Sequence, residues 1–310
     1  MQDNDNNIRK HHDVKRDSPK AWLLAARPKT LSGAAVPVMI GLALTYNDTM
    51  SSDLVSFNVT AAVLCFLFAM IMQIDANFIN DFFDFAKGTD DSEKRLGPRR
   101  ACAQGWVSID RMKHAIAATT CLACVTGLPL VFFGGLEMIL IGLLCVIFSF
   151  LYTTHLSYMG MGDILVLVFF GIVPVSTVYY LQFHTVTWTV FWASVGCGIA
   201  IDALLIVNNF RDRDTDRESG KQTIVVRFGA TTALRLYLAT GWIAYALCLL
   251  FWAEGHPLAF VLPTIYVVLH SFTWLKIKRI YRGKALNICL GETARNIFIY
   301  GLTVTIGLLL

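Results

Sequence analysis

Apolar residues in this chain come in long runs rather than in alternation. Stretches nearly free of Asp, Glu, Lys and Arg cover residues 30–47, 57–79, 114–133, 136–154, 164–181, 186–207, 231–253, 256–275 and 290–310. Each is close to the ~20 apolar residues that one bilayer-crossing helix requires. The pattern predicts an all-α integral membrane protein of about nine transmembrane helices. The pattern disfavours an outer-membrane β-barrel, because its strands alternate apolar and polar over about ten residues.

The polar residues between the runs are sorted by sign. Arg and Lys fall into four groups, from Arg9 to Lys29, from Lys87 to Lys113, from Arg211 to Arg235 and from Lys276 to Arg295, which together hold all 26. The alternate loops near 48–56, 134–137, 182–187 and 254–256 carry Asp48, Asp53, Glu137 and Glu254 and no Lys or Arg. With nine spans, the positive-inside rule puts every basic group and the N-terminus on the cytoplasmic side of a cytoplasmic (inner) membrane, with Leu310 on the outer face. Residues 1–20 are polar and lack the apolar core of a signal peptide, so they read as a disordered cytoplasmic tail. Residues 21–310 read as a single polytopic domain.

Composition narrows the picture further. A chain 55% hydrophobic and 15% charged is not a soluble enzyme with a membrane anchor. A formal charge of +4 leaves no nucleic-acid footprint, and the expected environment is the lipid bilayer. Of the eight cysteines, Cys65, Cys121, Cys124, Cys145, Cys197 and Cys248 lie in apolar runs and are expected to behave as small hydrophobes, the CxxC of Cys121 and Cys124 included.

Candidate chemistry sits where two of the runs end. In QIDANFINDFFDFAKGTD, residues 73–90, Asn77 and Asp81, and Asn80 and Asp84, are i,i+4 pairs that share one helix face. In NNFRDRDTDRESGKQT, residues 208–223, Asn208, Asp212 and Asp216 repeat the four-residue spacing. Both motifs contain D-xxx-G, Asp84 to Gly88 and Asp216 to Gly220, and both open a basic loop. The segments 77–90 and 208–221 read as a duplicated unit that places a carboxylate cluster at the mouth of one cavity. An ionisable group at the bilayer centre costs roughly 2.5–3.5 kcal/mol on insertion scales, so such clusters are functional candidates. Carboxylate and amide oxygens suit Mg²⁺ completed by substrate phosphate, and Lys87, Arg211 and Lys221 supply phosphate-binding cations.

These residues resemble the UbiA-type family of membrane-embedded polyprenyltransferases, which carries an Asn/Asp-rich first motif and a DxxxD second motif. The resemblance is carried by ARPKTLSGAAVPVMIG at 26–41, NDFFDFAKGTD at 80–90, GPRRACAQG at 97–105, YMGMGD at 158–163, NNFRDRDTDRESGKQTIVVRFG at 208–229 and LNICLGETAR at 286–295. It extends to the branch that prenylates 1,4-dihydroxy-2-naphthoate in menaquinone synthesis. The resemblance implies a helical bundle around a central cavity, with Mg²⁺ and a polyprenyl diphosphate at its cytoplasmic mouth. It implies Asn80, Asp84, Asp212 and Asp216 as metal ligands, with Asp81, Asp84, Asp212 and Asp216 as the catalytic acids. Arg27, Lys29, Asn77, Lys87, Tyr152, Asn208, Arg211 and Lys221 are the substrate-binding candidates. Two departures stand out: Gly88 occupies the place of a third acid in many members, with Asp90 two residues later, and Thr154 and His155 replace a usual Arg or Lys.

The residues support that chemistry. An allylic diphosphate ionises when a metal and cations stabilise its departing oxygens, and the allylic cation survives in a dry, aromatic cavity. Phe82, Phe83, Phe148, Phe150, Tyr152, Tyr158, Phe169 and Phe170 are lining candidates. Asp75 and Asp202 are expected to face the cavity, Asp163 to cap a helix, and His184, His256 and His270 to pack. Other aromatic acceptors, such as 4-hydroxybenzoate, and a transporter built on repeats are the competing readings.

Overall fold

The structure is a computed structural model that describes residues 14–53, 55–88 and 95–310. Among them it is helical, without strands. A short helix α1, Pro19–Ala26, turns through Arg27 and a 3₁₀ turn at Pro28–Thr30 into α2, Ser32–Met50. Then come α3 (Val59–Ala86), α4 (Ile109–Gly134), α5 (Glu137–Leu156), α6 (Gly162–Phe183), α7 (Trp188–Glu218), α8 (Ile224–Ala253), α9 (Leu258–Ile280) and α10 (Leu286–Leu309).

The helices follow the apolar stretches, yet they are not equally apolar. Among the described residues seven, α3 to α9, are long and apolar enough to cross a membrane by themselves. An eighth is reached if α1 and α2, bent by 50° where they meet, count as one span. α10 is long enough but carries Glu292, Arg295 and Asn296 in its first half. Seven or eight apolar spans thus stand where nine were expected. Of the expected disordered tail, residues 1–13 lie outside the described residues, whereas residues 14–20 are held to the rest of the protein. The Asp17 amide donates to the Trp106 carbonyl at 2.7 Å, its carboxylate accepts from the Ser108 amide at 3.1 Å, and the Ser18 hydroxyl caps α1.

Two helices are longer than a bilayer needs, and this places the site. α3 has 28 residues and α7 has 31. At about 1.5 Å per residue they run ~42 and ~46 Å against a hydrocarbon core of ~30 Å. Their first residues lie at one end of the bundle, where the Asn58 amide donates to Gln182 Oε1 at 3.0 Å. Their last two or three turns therefore overhang together at the other end, carrying the two acidic motifs. Each overhang stops in the same way: after the caps Lys87 and Ser219, Gly88 and Gly220 adopt φ of +69° and +77°, the left-handed conformation that ends a helix. The shared D-xxx-G is thus a carboxylate one turn before a helix stop.

α7 is the central helix. It packs most tightly on antiparallel α6, where a Cβ on Gly171 would lie 2.5 Å from the Ser194 carbonyl. The main core, including Ile40, Val175, Cys197, Cys248, Tyr266 and Tyr300, is shared by α2, α6, α7, α8, α9 and α10. α3, α4 and α5 join α2 and α6 at one end of the bundle through Val38, Cys65, Leu130, Met138, Val178 and Leu181, and beyond that contact a cavity is enclosed between them and α6, α7 and α10.

Candidate active site

The cavity encloses about 910 Å³ and changes character along its depth. Its inner part is apolar, with Phe148, Phe169, Phe170, Val131, Met138 and Leu165 on the wall. Of the other aromatic candidates, Tyr152 also lines it, from a wide π-helical turn that ends α5. Phe82, Phe83 and Phe150 instead pack around α1, α3 and α4 in a separate core. Leu128, Ile139 and Leu143 line the cavity and are about half exposed or more, so it opens sideways between α4 and α5.

At the mouth the wall turns cationic. Among the described residues Arg27, Lys29, Arg95, Arg99 and Arg100 line it, together with the amides Asn80, Asn208 and Asn287, and no carboxylate does. The motif acids stand behind this surface, each against a cation. Asp84 accepts from Arg100 Nη2 at 2.7 Å. Asp212 takes a two-pronged contact from Arg211, at 2.8 Å from Nε and 2.5 Å from Nη2. Asp216 lies 3.7 Å from Lys221 Nζ.

The two motifs meet here. Lys87, just past the first, and Lys221, just past the second, lie 4.3 and 5.1 Å from the centre of the same Tyr158 ring. The charges of Asp84 and Asp212 both act on Asp216. Lys87 Nζ donates to the Thr154 carbonyl at 2.6 Å. Partial loss of water around this ammonium, and the nearby Lys221 charge, hold its pKa below the ordinary lysine value, while Asp84 pulls the other way.

Several expected site residues have different local work. Asp81 is buried, and its two oxygens accept from the Ala101 amide at 2.8 Å and the Cys102 amide at 2.9 Å. It therefore anchors the loop after α3 and turns away from the cavity. Asn77 donates to the Ala26 carbonyl at 2.9 Å and to Thr30 Oγ1 at 3.0 Å, holding the bend between α1 and α2. That bend puts Arg27 in a left-handed conformation, rare for a side chain of its size, with Lys29 beside it on the cavity wall. Arg211 is buried and also bonds Asn208 at 2.6 Å and Asn287 at 2.9 Å. Asn80 accepts from Thr153 Oγ1 at 2.5 Å and faces the cavity. Asp75, expected at the cavity, is fully buried, with Thr119 and Thr120 donating to its oxygens at 2.5 and 2.8 Å, and it fastens α3 to α4.

The arginine loop and Asn287 lie in segments that carried the resemblance, yet nothing in the sequence alone gives either of them a part in the site. Asn287 Nδ2 donates to the Leu96 carbonyl at 2.8 Å while its oxygen receives Arg211. Gly97 lies so close to Arg211 that a Cβ there would be 2.6 Å from Nη2. The cluster Arg99–Arg100 was visible as charge, but its place over the cavity is set by contacts from α3, α7 and α10.

Among the described residues no three or more His, Cys, Asp or Glu side chains are gathered into a closed metal cage. Asn80, Asn208 and the three carboxylates are nonetheless hard oxygen donors around one mouth. That donor set fits Mg²⁺, which is commonly bound by one or two carboxylates and finished by substrate phosphate.

Comparison with known proteins agrees with this architecture. The chain is 37% identical over 230 residues to the 1,4-dihydroxy-2-naphthoate octaprenyltransferase of Escherichia coli (strain K12), covering 70% of this chain and 71% of that one. The apo structure of a UbiA homolog from Aeropyrum pernix K1 superposes with a TM-score of 0.66 at 15% identity, over 89% of this chain and 96% of that one. A UbiA homolog from Archaeoglobus fulgidus bound to DMAPP and Mg²⁺ gives a TM-score of 0.58 at 16% identity, over 92% and 98%. The model of the UbiA prenyltransferase family matches residues 34–291, a stretch that holds both acidic motifs, the arginine loop and Asn287, and the chain is a multi-pass membrane protein belonging to that family.

Proposed function

We propose that this protein transfers a polyprenyl group from an allylic polyprenyl diphosphate to 1,4-dihydroxy-2-naphthoate, with loss of the carboxylate, to give the hydroquinone form of demethylmenaquinone. The observation that carries the reading is the meeting of two Asp/Asn motifs and their lysines at the cationic mouth of a deep apolar cavity. The activity named for the E. coli relative supplies the acceptor. The volume, about 910 Å³, lies at the upper end of small-molecule sites and suits an aromatic bicycle with the first isoprene units of a tail. The sideways opening leaves the rest of the tail in lipid.

In this reading the diphosphate sits at the mouth. Asn80, Asp84, Asp212 and Asp216 hold Mg²⁺, and Lys87 and Lys221 bind diphosphate oxygens; Asn208 aids from the wall. Mg²⁺ bound there supplies positive charge to the departing diphosphate. The lysines stabilise the same developing charge, which lowers the barrier to breaking the allylic C–O bond. Phe148, Phe169, Phe170 and Tyr152 surround the allylic cation with aromatic faces and exclude water. Arg27 and Lys29 hold the acceptor carboxylate so that its ring carbon meets the cation. The carboxyl group then leaves as carbon dioxide, and its electron pair restores aromaticity, so no base is required at that carbon. We further read the chain as nine spans in a cytoplasmic membrane, with N-terminus and site on the cytoplasmic side, following the segregation of Lys and Arg.

Carboxyl-labelled 1,4-dihydroxy-2-naphthoate, supplied to purified protein with geranyl diphosphate and Mg²⁺, tests this directly. The expected result is labelled carbon dioxide released in step with diphosphate. Label retained in a prenylated product would replace this acceptor chemistry with that of a hydroxybenzoate type.

A further inference from the structure

We propose that Arg213, which does not line the cavity, is a positioning residue for Asp216: it clasps the last turns of α7 to the end of α9 and so fixes where that carboxylate stands at the mouth. The inference rests on the metal reading above.

The two acids of the second motif are held in different ways. Asp212 is gripped by Arg211, which is buried and is held in turn by Asn208 and by Asn287 of α10. Asp216 stands one turn farther out on the overhang of α7. Its cation, Lys221, is 3.7 Å away and lies beyond the helix end. A contact that loose leaves the direction of the last turn to be set by other residues.

Arg213 supplies the hold. In the run RDRD a second arginine is expected to point into water, yet Arg213 is only 5% exposed. Its guanidinium lies over the rings of Phe210 and Tyr281, 4.4 and 4.9 Å from their centres, where the two rings meet edge-on at 85°. Its nitrogens donate to the Phe210 carbonyl and, at 2.9 Å, to the Tyr281 carbonyl. A planar guanidinium can stack on rings and serve two carbonyls at once, which an ammonium cannot. Tyr281 caps α9 with a φ of +61°, a conformation that a side chain of its size adopts only where its surroundings dictate it. An exposed pair on the same side, Arg282 Nε at 3.8 Å from Asp214, adds a weaker link. At about 100° per residue, Arg213 and Asp216 lie about 60° apart around the helix axis. A rotation of the helix end that freed Arg213 would therefore swing Asp216 as well.

Mn²⁺ binding in the presence of inorganic pyrophosphate, read by electron paramagnetic resonance on the full chain in lipid nanodiscs, tests the proposal. Arg213→Met keeps a long stem and removes the charge and the donors. The chain beyond α7 stays tethered, since the Gln222 amide donates to the Tyr158 carbonyl at 2.9 Å. The variant should bind Mn²⁺ about tenfold more weakly, at the lower end of what residues supporting a metal ligand contribute. In an Asp216→Asn background, titrated to higher Mn²⁺, the same substitution should change the affinity little, because the ligand it positions is already lost. Tyr281→Asn removes one ring with a residue that tolerates the left-handed conformation. It should weaken Mn²⁺ binding in the same direction by a smaller factor, and it carries the test if Arg213→Met does not fold. Unchanged Mn²⁺ affinity in the folded single variant, or an equal loss with and without Asp216, overturns the proposal. Wild-type protein that binds no Mn²⁺ even with pyrophosphate would instead overturn the metal reading itself, and this proposal with it.

Discussion

Asp84 and Asp216 come from different helices and face different cations, yet their charges act on one another across the mouth. If they hold one metal between them, each is necessary to a single electrostatic device. Asp84→Asn and Asp216→Asn keep the shape and most hydrogen bonding of each side chain and remove the charge. Each should lower kcat/KM by roughly a hundredfold or more, the scale on which one stabiliser of a developing charge is felt. The double variant should fall little further, because a broken unit has little left to lose. Steady-state kinetics on purified protein, with thermal unfolding to confirm the fold, checks this; near-normal activity in either single variant would remove the metal assignment.

The loop between α3 and α4 depends on Asp81 in a different way. A carboxylate can accept two amide hydrogens at once, and here both oxygens do so in a buried position. Asp81→Asn keeps one acceptor but points an NH₂ group at the other amide, leaving buried donors facing each other. The cost should be about 1–3 kcal/mol, the penalty for an unsatisfied buried polar group. The thermal midpoint should fall for Asp81→Asn, and a midpoint equal to that of the wild type would deny Asp81 its anchoring role. Spacing alone put Asp81 and Asp84 in one polar face. Only the loop folding back over α3 distinguished them, through contacts 20 and 21 residues away in sequence.

For the molecule as a whole, the proposed orientation rests on charge. In a variant with the native cysteines replaced, a cysteine at exposed Ser219 should react with a membrane-impermeant thiol reagent from the cytoplasmic side alone, and one at exposed Ser51 from outside alone; the reverse pattern would overturn the topology. The helical class, the apolar runs and the pairing of two acidic motifs were legible in the amino-acid sequence, because lipid forces backbone hydrogen bonds into helices and expels charge to the ends. The D-xxx-G repeat was legible too, since the helix-stopping glycine acts within one turn of its own chain. What each carboxylate touches was decided by tertiary structure. Asp75 meets two threonines of α4, Asp81 the backbone of a loop, Asp84 the guanidinium of Arg100, and Asp212 that of the neighbouring Arg211, itself held by Asn287 of α10. Helical periodicity determines which residues share a face, whereas the partner opposite that face is a property of how distant helices pack.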